Sequence, residues 1–144
     1  MSNPESKRAE LRQAAEELDR HARAKWQALM DQDGENLDDD GYPTDLACDR
    51  IRTWHWSDPR GWLKFVADLW YLHDWGWSEA DEPDEWDAKK MVRRYHVSTA
   101  GWSGNETLIR AMQESSMLWH LVWVQSRRGG HYIFELEPAT EDRR

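Results

Sequence analysis

The densest run of residue types able to do chemistry is Gly101-Trp102-Ser103-Gly104-Asn105-Glu106. A strand that feeds a helix through glycines leaves backbone N–H groups free at the helix N-terminus, and that geometry binds anions. A serine on such a turn is also the arrangement of a nucleophile elbow. That motif needs Gly-x-Ser-x-Gly, whereas the residue two after Ser103 is Asn105, and 144 residues are short for the hydrolase fold that carries it. No catalytic residue is therefore expected. Glu106, beside the helix start, would partly oppose an anion. The plain structural alternative is that Ser103 or Asn105 caps the following helix.

Basic residues come as the doublets Arg93-Arg94 and Arg127-Arg128, with Lys89-Lys90 nearby. An arginine from each doublet could meet above the turn, where guanidinium forks suit phosphate or carboxylate. His96, His120 and His131 fall on expected strands, but no His or Cys pair has metal-ligand spacing. Asn36-Leu37-Asp38-Asp39-Asp40-Gly41 resembles the front of a calcium loop. Position twelve of that loop would be Ala47 where a bidentate Glu belongs, and Pro43 interrupts it. Neither a metal site nor a cofactor is expected, and no Walker loop or dinucleotide fingerprint is present.

The elements that must position these groups follow from pattern. Asn3-Pro4-Glu5 opens a helix. Leu11, Ala15, Leu18, Ala22, Trp26 and Leu29 recur every three or four residues, which predicts a helix to about Met30. Residues 1–32 form either a docked helix or a separable arm. Residues 33–41 read as an acidic linker, and 42–137 as a tryptophan-rich domain. Thr44 and Ser57-Asp58-Pro59 start two further helices, the second running to about Leu72 with Trp56 as a hydrophobic staple. Ser78 to Asp87 is acidic, contains Pro83 and reads as a loop. Met91–Thr99 alternates like a strand, and Leu108, Ile109 and Met112 mark a helix. Met117–Gln125 is ambiguous by periodicity, and its β-branched and aromatic content favours a strand. Ser126-Arg127-Arg128-Gly129-Gly130 is a hairpin turn and His131–Glu137 the returning strand. The tail 138–144 should fray. The result is an α+β domain, with N-terminal helices on one face of a small antiparallel sheet of about three strands and one inserted helix.

Composition narrows the partners. Twenty-eight acidic against 19 basic residues give a net charge of −9. Such a surface repels nucleic acid, so direct nucleic-acid binding is not expected, and it suits a basic protein. Asp31–Asp49 and Asp74–Asp87 hold 15 of the 28 acids, and together in space they would make one negative face. A single cysteine, Cys48, allows no intramolecular disulfide. With no apolar run long enough to cross a membrane and no secretory signal, the expected location is the cytoplasm. Eleven tryptophans should mostly build the core, while Trp75, Trp77 and Trp102, beside glycines, are the surface candidates.

Asp40-Gly41-Tyr42-Pro43-Thr44, His73-Asp74-Trp75-Gly76-Trp77, Ser98-Thr99-Ala100-Gly101-Trp102-Ser103-Gly104-Asn105-Glu106 and Ser126-Arg127-Arg128-Gly129-Gly130-His131-Tyr132-Ile133-Phe134-Glu135 occur in this order. The combination, over about residues 40–137, resembles a group of small hypothetical proteins from bacteria and their prophages. That resemblance implies no mechanism, only a greater expectation of a host-interaction or defence-related role.

Two readings follow. In the first, a non-catalytic binding protein presents Asp38, Asp39, Asp40, Asp81, Glu82, Asp84 and Glu85 to a basic protein, as an inhibitor or immunity-type factor. In the second, a small ligand or substrate sits at the glycine turn, lined by Trp102, Ser103, Asn105, Glu106, Arg127, Arg128 and His131.

Overall fold

The structure, a computed structural model, describes residues 3–139. Six helices and four strands follow in the order α1 (Pro4–Asp31), α2 (Asp45–Thr53), α3 (Pro59–Leu69), α4 (His73–Gly76), β1 (Trp77–Pro83), β2 (Met91–Ser98), α5 (Ser103–Glu114), α6 (Ser116–Val122), β3 (Trp123–Arg127) and β4 (His131–Leu136). The strands form one antiparallel sheet in the order β1-β2-β4-β3. The expected α+β class is observed, with a fourth strand and a second inserted helix. Of the expected frayed tail, Pro138 and Ala139 lie in no regular element, and 140–144 fall outside the described residues.

The helix starts form as their residues dictate. The Asn3 side chain accepts from Glu5 N–H, Thr44 from Ala47 N–H and Asp58 from Gly61 N–H. The core joins Ile51 of α2, Trp62, Leu63 and Val66 of α3, Leu108 and Met112 of α5, and Leu118 and Trp119 of α6 to Tyr95, Val97 and Phe134 of the sheet. Directly opposed residues of an antiparallel pair share a face. Trp77, Tyr95, Val97, Tyr132 and Phe134 therefore form the helix-covered face, and Ser78, His96, Ser98, His131 and Ile133 the other.

The long first helix is docked over only part of its length. Leu11 and Leu18 remain 63% and 71% exposed. Toward its C-terminus, Trp26 packs on Trp54 with ring centroids 5.1 Å apart, and Asp19 Oδ1 lies 2.7 Å from His55 Nε2. Arg50, buried on α2, donates to the carbonyls of Leu29 (2.8 Å) and Gln32 (2.6 Å) and to the Asn36 side chain (2.7 Å). Its guanidinium thus adds donors to the carbonyls at the end of α1, where Gln32 N–H alone otherwise reaches the Leu29 carbonyl, at 3.3 Å.

Several expectations need correction. Residues 77–83 form an edge strand rather than a loop, because Arg93 and Arg94 on β2 pair with Glu79, Asp81 and Glu82 opposite. Charged pairs replace the apolar alternation that ordinarily marks a strand, and charge on an edge also deters pairing with other chains. Residues 117–122 are helical, because Leu118, Trp119 and Val122 fall on one buried helical face. Only Trp123–Arg127 is strand, with an irregular register between Trp123 and Gln125. Trp77 is core, 5% exposed between Trp70 and Tyr95. Trp56 is 51% exposed and donates to Asp19 instead of stapling α3. Helix α3 also ends at Leu69, and Leu72 in a left-handed conformation (φ 58°) precedes the short α4. Among the described residues no helix is long and apolar enough to cross a membrane.

Candidate functional site

The glycine turn is a packing centre. Thr99 N–H donates to the Gly130 carbonyl at 3.0 Å, which joins the turn to the β3–β4 hairpin. Gly76 backs onto the Ser98 carbonyl so closely that an added Cβ would sit 2.7 Å from that oxygen. Trp102 is half-buried between Tyr42 and Tyr71, with centroids 4.6 and 4.8 Å away. All four sequence motifs therefore meet around residues 98–105.

Of the turn's polar side chains, Asn105 is committed to this packing. Asn105 is 1% exposed. Its amide accepts from Tyr71 N–H (2.9 Å) and donates to the carbonyls of Tyr71 (3.0 Å) and Thr99 (3.2 Å). The expectation that Ser103 or Asn105 caps α5 is corrected: Trp102 holds the cap position and no side chain caps the helix. Ser103 Oγ donates to the Tyr42 hydroxyl at 3.1 Å, and Glu106 is exposed. The buried Asn105 amide thus satisfies backbone groups of both Tyr71 and Thr99.

Arg127, Arg128 and His131 lie elsewhere, at the hairpin end of the uncovered sheet face. With His96 and Ile133 they line a depression of about 260 Å³. The structure joins the turn to the hairpin through backbone, while Ser103 and Asn105 face Tyr42 and the interior.

The acidic residues divide into spent and free groups. Asp38 Oδ1 accepts from the N–H groups of Asp40 and Tyr42, both at 2.9 Å, so Asp38 shapes its own turn and leaves Asp39 and Asp40 exposed. Asp81 Oδ1 lies 3.3 Å from Arg93 Nη1, and Glu82 Oε2 lies 2.8 Å from Arg94 Nη1. Hydrogen bonding from Arg94 holds the Glu82 carboxyl below the ordinary carboxylate range against the opposing effect of burial, and His96 adds to the lowering.

Asp84, Glu85 and Asp87 sit in the β1–β2 hairpin loop, and their side chains pair with no cation among the described residues. Between them Trp86 is 92% exposed. The loop is nevertheless ordered by its own bonds. Asp84 N–H donates to the Lys90 carbonyl (2.8 Å), Lys90 N–H to the Asp87 carbonyl (2.9 Å), and Lys89 N–H to Asp87 Oδ1 (3.1 Å). The surface candidates expected from sequence, Trp75, Trp77 and Trp102, do not include Trp86. Its signal was present: a tryptophan flanked by acids on both sides, three residues after Pro83, has no apolar neighbours to bury it.

A groove of about 650 Å³ lies between α3 and the β1–β2 side of the sheet and is lined by Arg60, Lys64, Asp68, Glu79, Asp81 and Arg93 among others. Its charges largely cancel. Tyr95 on its floor has its hydroxyl pushed up to about 12, by burial first and then by Glu79. Among the described residues no three His, Cys, Asp or Glu side chains are grouped to hold a metal ion. Cys48 is buried, and burial pushes its thiol upward, which makes it unreactive.

No protein-family model, no curated protein and no solved structure matches this chain.

Proposed function

We propose that the chain is a non-catalytic binding protein that presents the tip of its β1–β2 hairpin to a basic protein partner. One observation carries this reading: Trp86, 92% exposed, is displayed on a hydrogen-bonded loop between Asp84, Glu85 and Asp87. Tryptophan is the residue type most enriched at the energetic centre of interfaces. A ring of carboxylates steers a cationic surface toward it and raises the association rate. The net charge of −9 acts in the same direction over longer range. Asp39 and Asp40, exposed in the loop before α2, are a secondary contribution of the same sign.

The commitment of the Asn105 amide to internal bonds supports this reading over a ligand at the glycine turn. The resemblance to bacterial and prophage proteins fits an inhibitor or immunity-type role in the cytoplasm, with a toxin or nucleic-acid-handling protein as the basic partner.

The test is capture of partners by the tagged full chain from nuclease-treated host lysate, at low and high salt, beside the Trp86→Ala variant. A basic protein retained by the wild-type chain, lost at high salt and lost with Trp86→Ala is the expected result. Retention that ignores both salt and Trp86 would overturn the reading.

A further inference from the structure

The uncovered face of the sheet carries a second feature, independent of the hairpin tip. None of its residues belongs to the core cluster. The strand register arranges them as a grid. One row runs Ser78 (β1), His96 (β2), Ile133 (β4) and Gln125 (β3), and the next runs Ser98 (β2), His131 (β4) and Arg127 (β3). Strands lie about 4.8 Å apart, so the first row spans roughly 14 Å.

Two depressions open on this grid and share His96, Val97 and His131. One, about 260 Å³, reaches Arg127 and Arg128. The other, about 320 Å³, reaches Ser78, Ser98 and Trp75, whose indole is 69% exposed. They form one shallow trough, with an aromatic plane at the β1 end and cationic forks at the β3 end.

Its charge is opposite to that of the molecule. Among the described residues no carboxylate side chain lines either depression. The nearest acid on this face, Glu82, is 3.4 Å from His96 but is held by Arg94 at 2.8 Å, and Glu135 is held by Arg94 at 2.9 Å. Arg94 thus screens the trough from the acids of its own face. Among the described residues Arg127 has one weak partner, Gln125 at 3.5 Å, leaving its fork open to a ligand. The hydroxyls of Ser78 and Ser98 add donors between the two ends.

We propose that this trough is a binding site for a mononucleotide, with the base against Trp75 and the phosphates toward His131, Arg127 and Arg128. Arginine forks match phosphate oxygens, and an exposed indole stacks on any base. A single nucleotide suits the site better than a nucleic-acid strand. The trough ends within one sheet width, and the net charge of −9 repels a long polyanion.

The experiment is a titration of the ¹⁵N-labelled full chain with ADP, followed by amide and indole resonances, with inorganic phosphate and a single-stranded oligonucleotide as parallel probes. Saturable shifts are expected at the Trp75 indole and at Ser78, His96, Ser98 and His131, with phosphate binding more weakly than ADP. Trp75→Ala should weaken ADP about tenfold. Arg127→Ala with Arg128→Ala should weaken both ADP and phosphate about tenfold. All three positions are exposed, so the fold tolerates these changes, and an unchanged spectrum elsewhere verifies it. No shifts with millimolar ADP would overturn the proposal. So would phosphate binding as tightly as ADP with Trp75→Ala silent, or an oligonucleotide binding more tightly than ADP on the same residues.

Discussion

The Asp84 N–H donates to the Lys90 carbonyl at 2.8 Å, and this bond closes the loop that carries Trp86. The indole is thereby displayed on a fixed frame, so little ordering entropy is left to lose on association. Trp86 touches almost nothing in its own chain. Trp86→Ala should therefore leave the urea unfolding midpoint unchanged, within about 0.5 kcal/mol, while abolishing partner capture. A variant that loses stability and binding together would place Trp86 in the fold instead.

Arg50 should be the most sensitive charged residue of the fold. Arg50→Met keeps the apolar length but removes the donor to the Gln32 carbonyl and leaves the Leu29 carbonyl with only the Gln32 N–H at 3.3 Å. The expected cost is about 2–3 kcal/mol in urea unfolding. Amide exchange of α1 should quicken, because Arg50 ties that helix to α2. Unchanged stability would mean that the Trp26–Trp54 packing alone holds α1.

The joint between turn and hairpin gives a graded pair of glycine variants. At Gly130 (φ +78°) an added Cβ would sit 2.2 Å from the Thr99 hydroxyl, and Thr99 is 2% exposed and cannot give way. At Gly101 (φ +71°) an added Cβ meets nothing within 4 Å. Gly101→Ala should cost only the left-handed penalty, about 1–2 kcal/mol. Gly130→Ala should cost clearly more, because a steric clash adds to the same penalty. Equal shifts in thermal unfolding would contradict the close approach.

The acid limb of stability should report Glu82. Its folded value is depressed below the ordinary 4.5, chiefly by the Arg94 hydrogen bond. A depressed carboxylate stabilises fully above its unfolded value, and that contribution is lost as pH falls through the lower folded value. Glu82→Gln should therefore be less stable than wild type at about pH 6. The gap should close as pH falls below 4.5. A gap that stays constant into acid would assign the loss to packing rather than to charge.

Much of this architecture is readable from residue pattern alone, for reasons that particular elements make plain. Asn3, Thr44 and Asp58 act at short range, so the helix starts follow from sequence. The Arg-Arg-Gly-Gly turn is equally local. Strand β1 is hidden because its stabilising partners, Arg93 and Arg94, come more than ten residues later and its own side chains are acidic. The 117–122 helix is hidden because a short apolar run fits a buried strand and a buried helix alike. Asn105 is an attractive polar residue in sequence, and only the tertiary approach of Tyr71 shows that its amide is used inside. Trp86 is hidden for the converse reason: eleven tryptophans suggest a core, and Trp86 alone among them has an acid on both sides.

The most direct measurement is quantitative capture of a basic partner by three full-length baits: wild type, Trp86→Ala, and Glu85→Lys with Asp87→Lys. The account predicts a partner on the wild-type bait that weakens steeply with salt, is absent from Trp86→Ala, and is lost with the charge reversal. Equal recovery on all three baits would contradict it, because the hairpin tip would then play no part in binding.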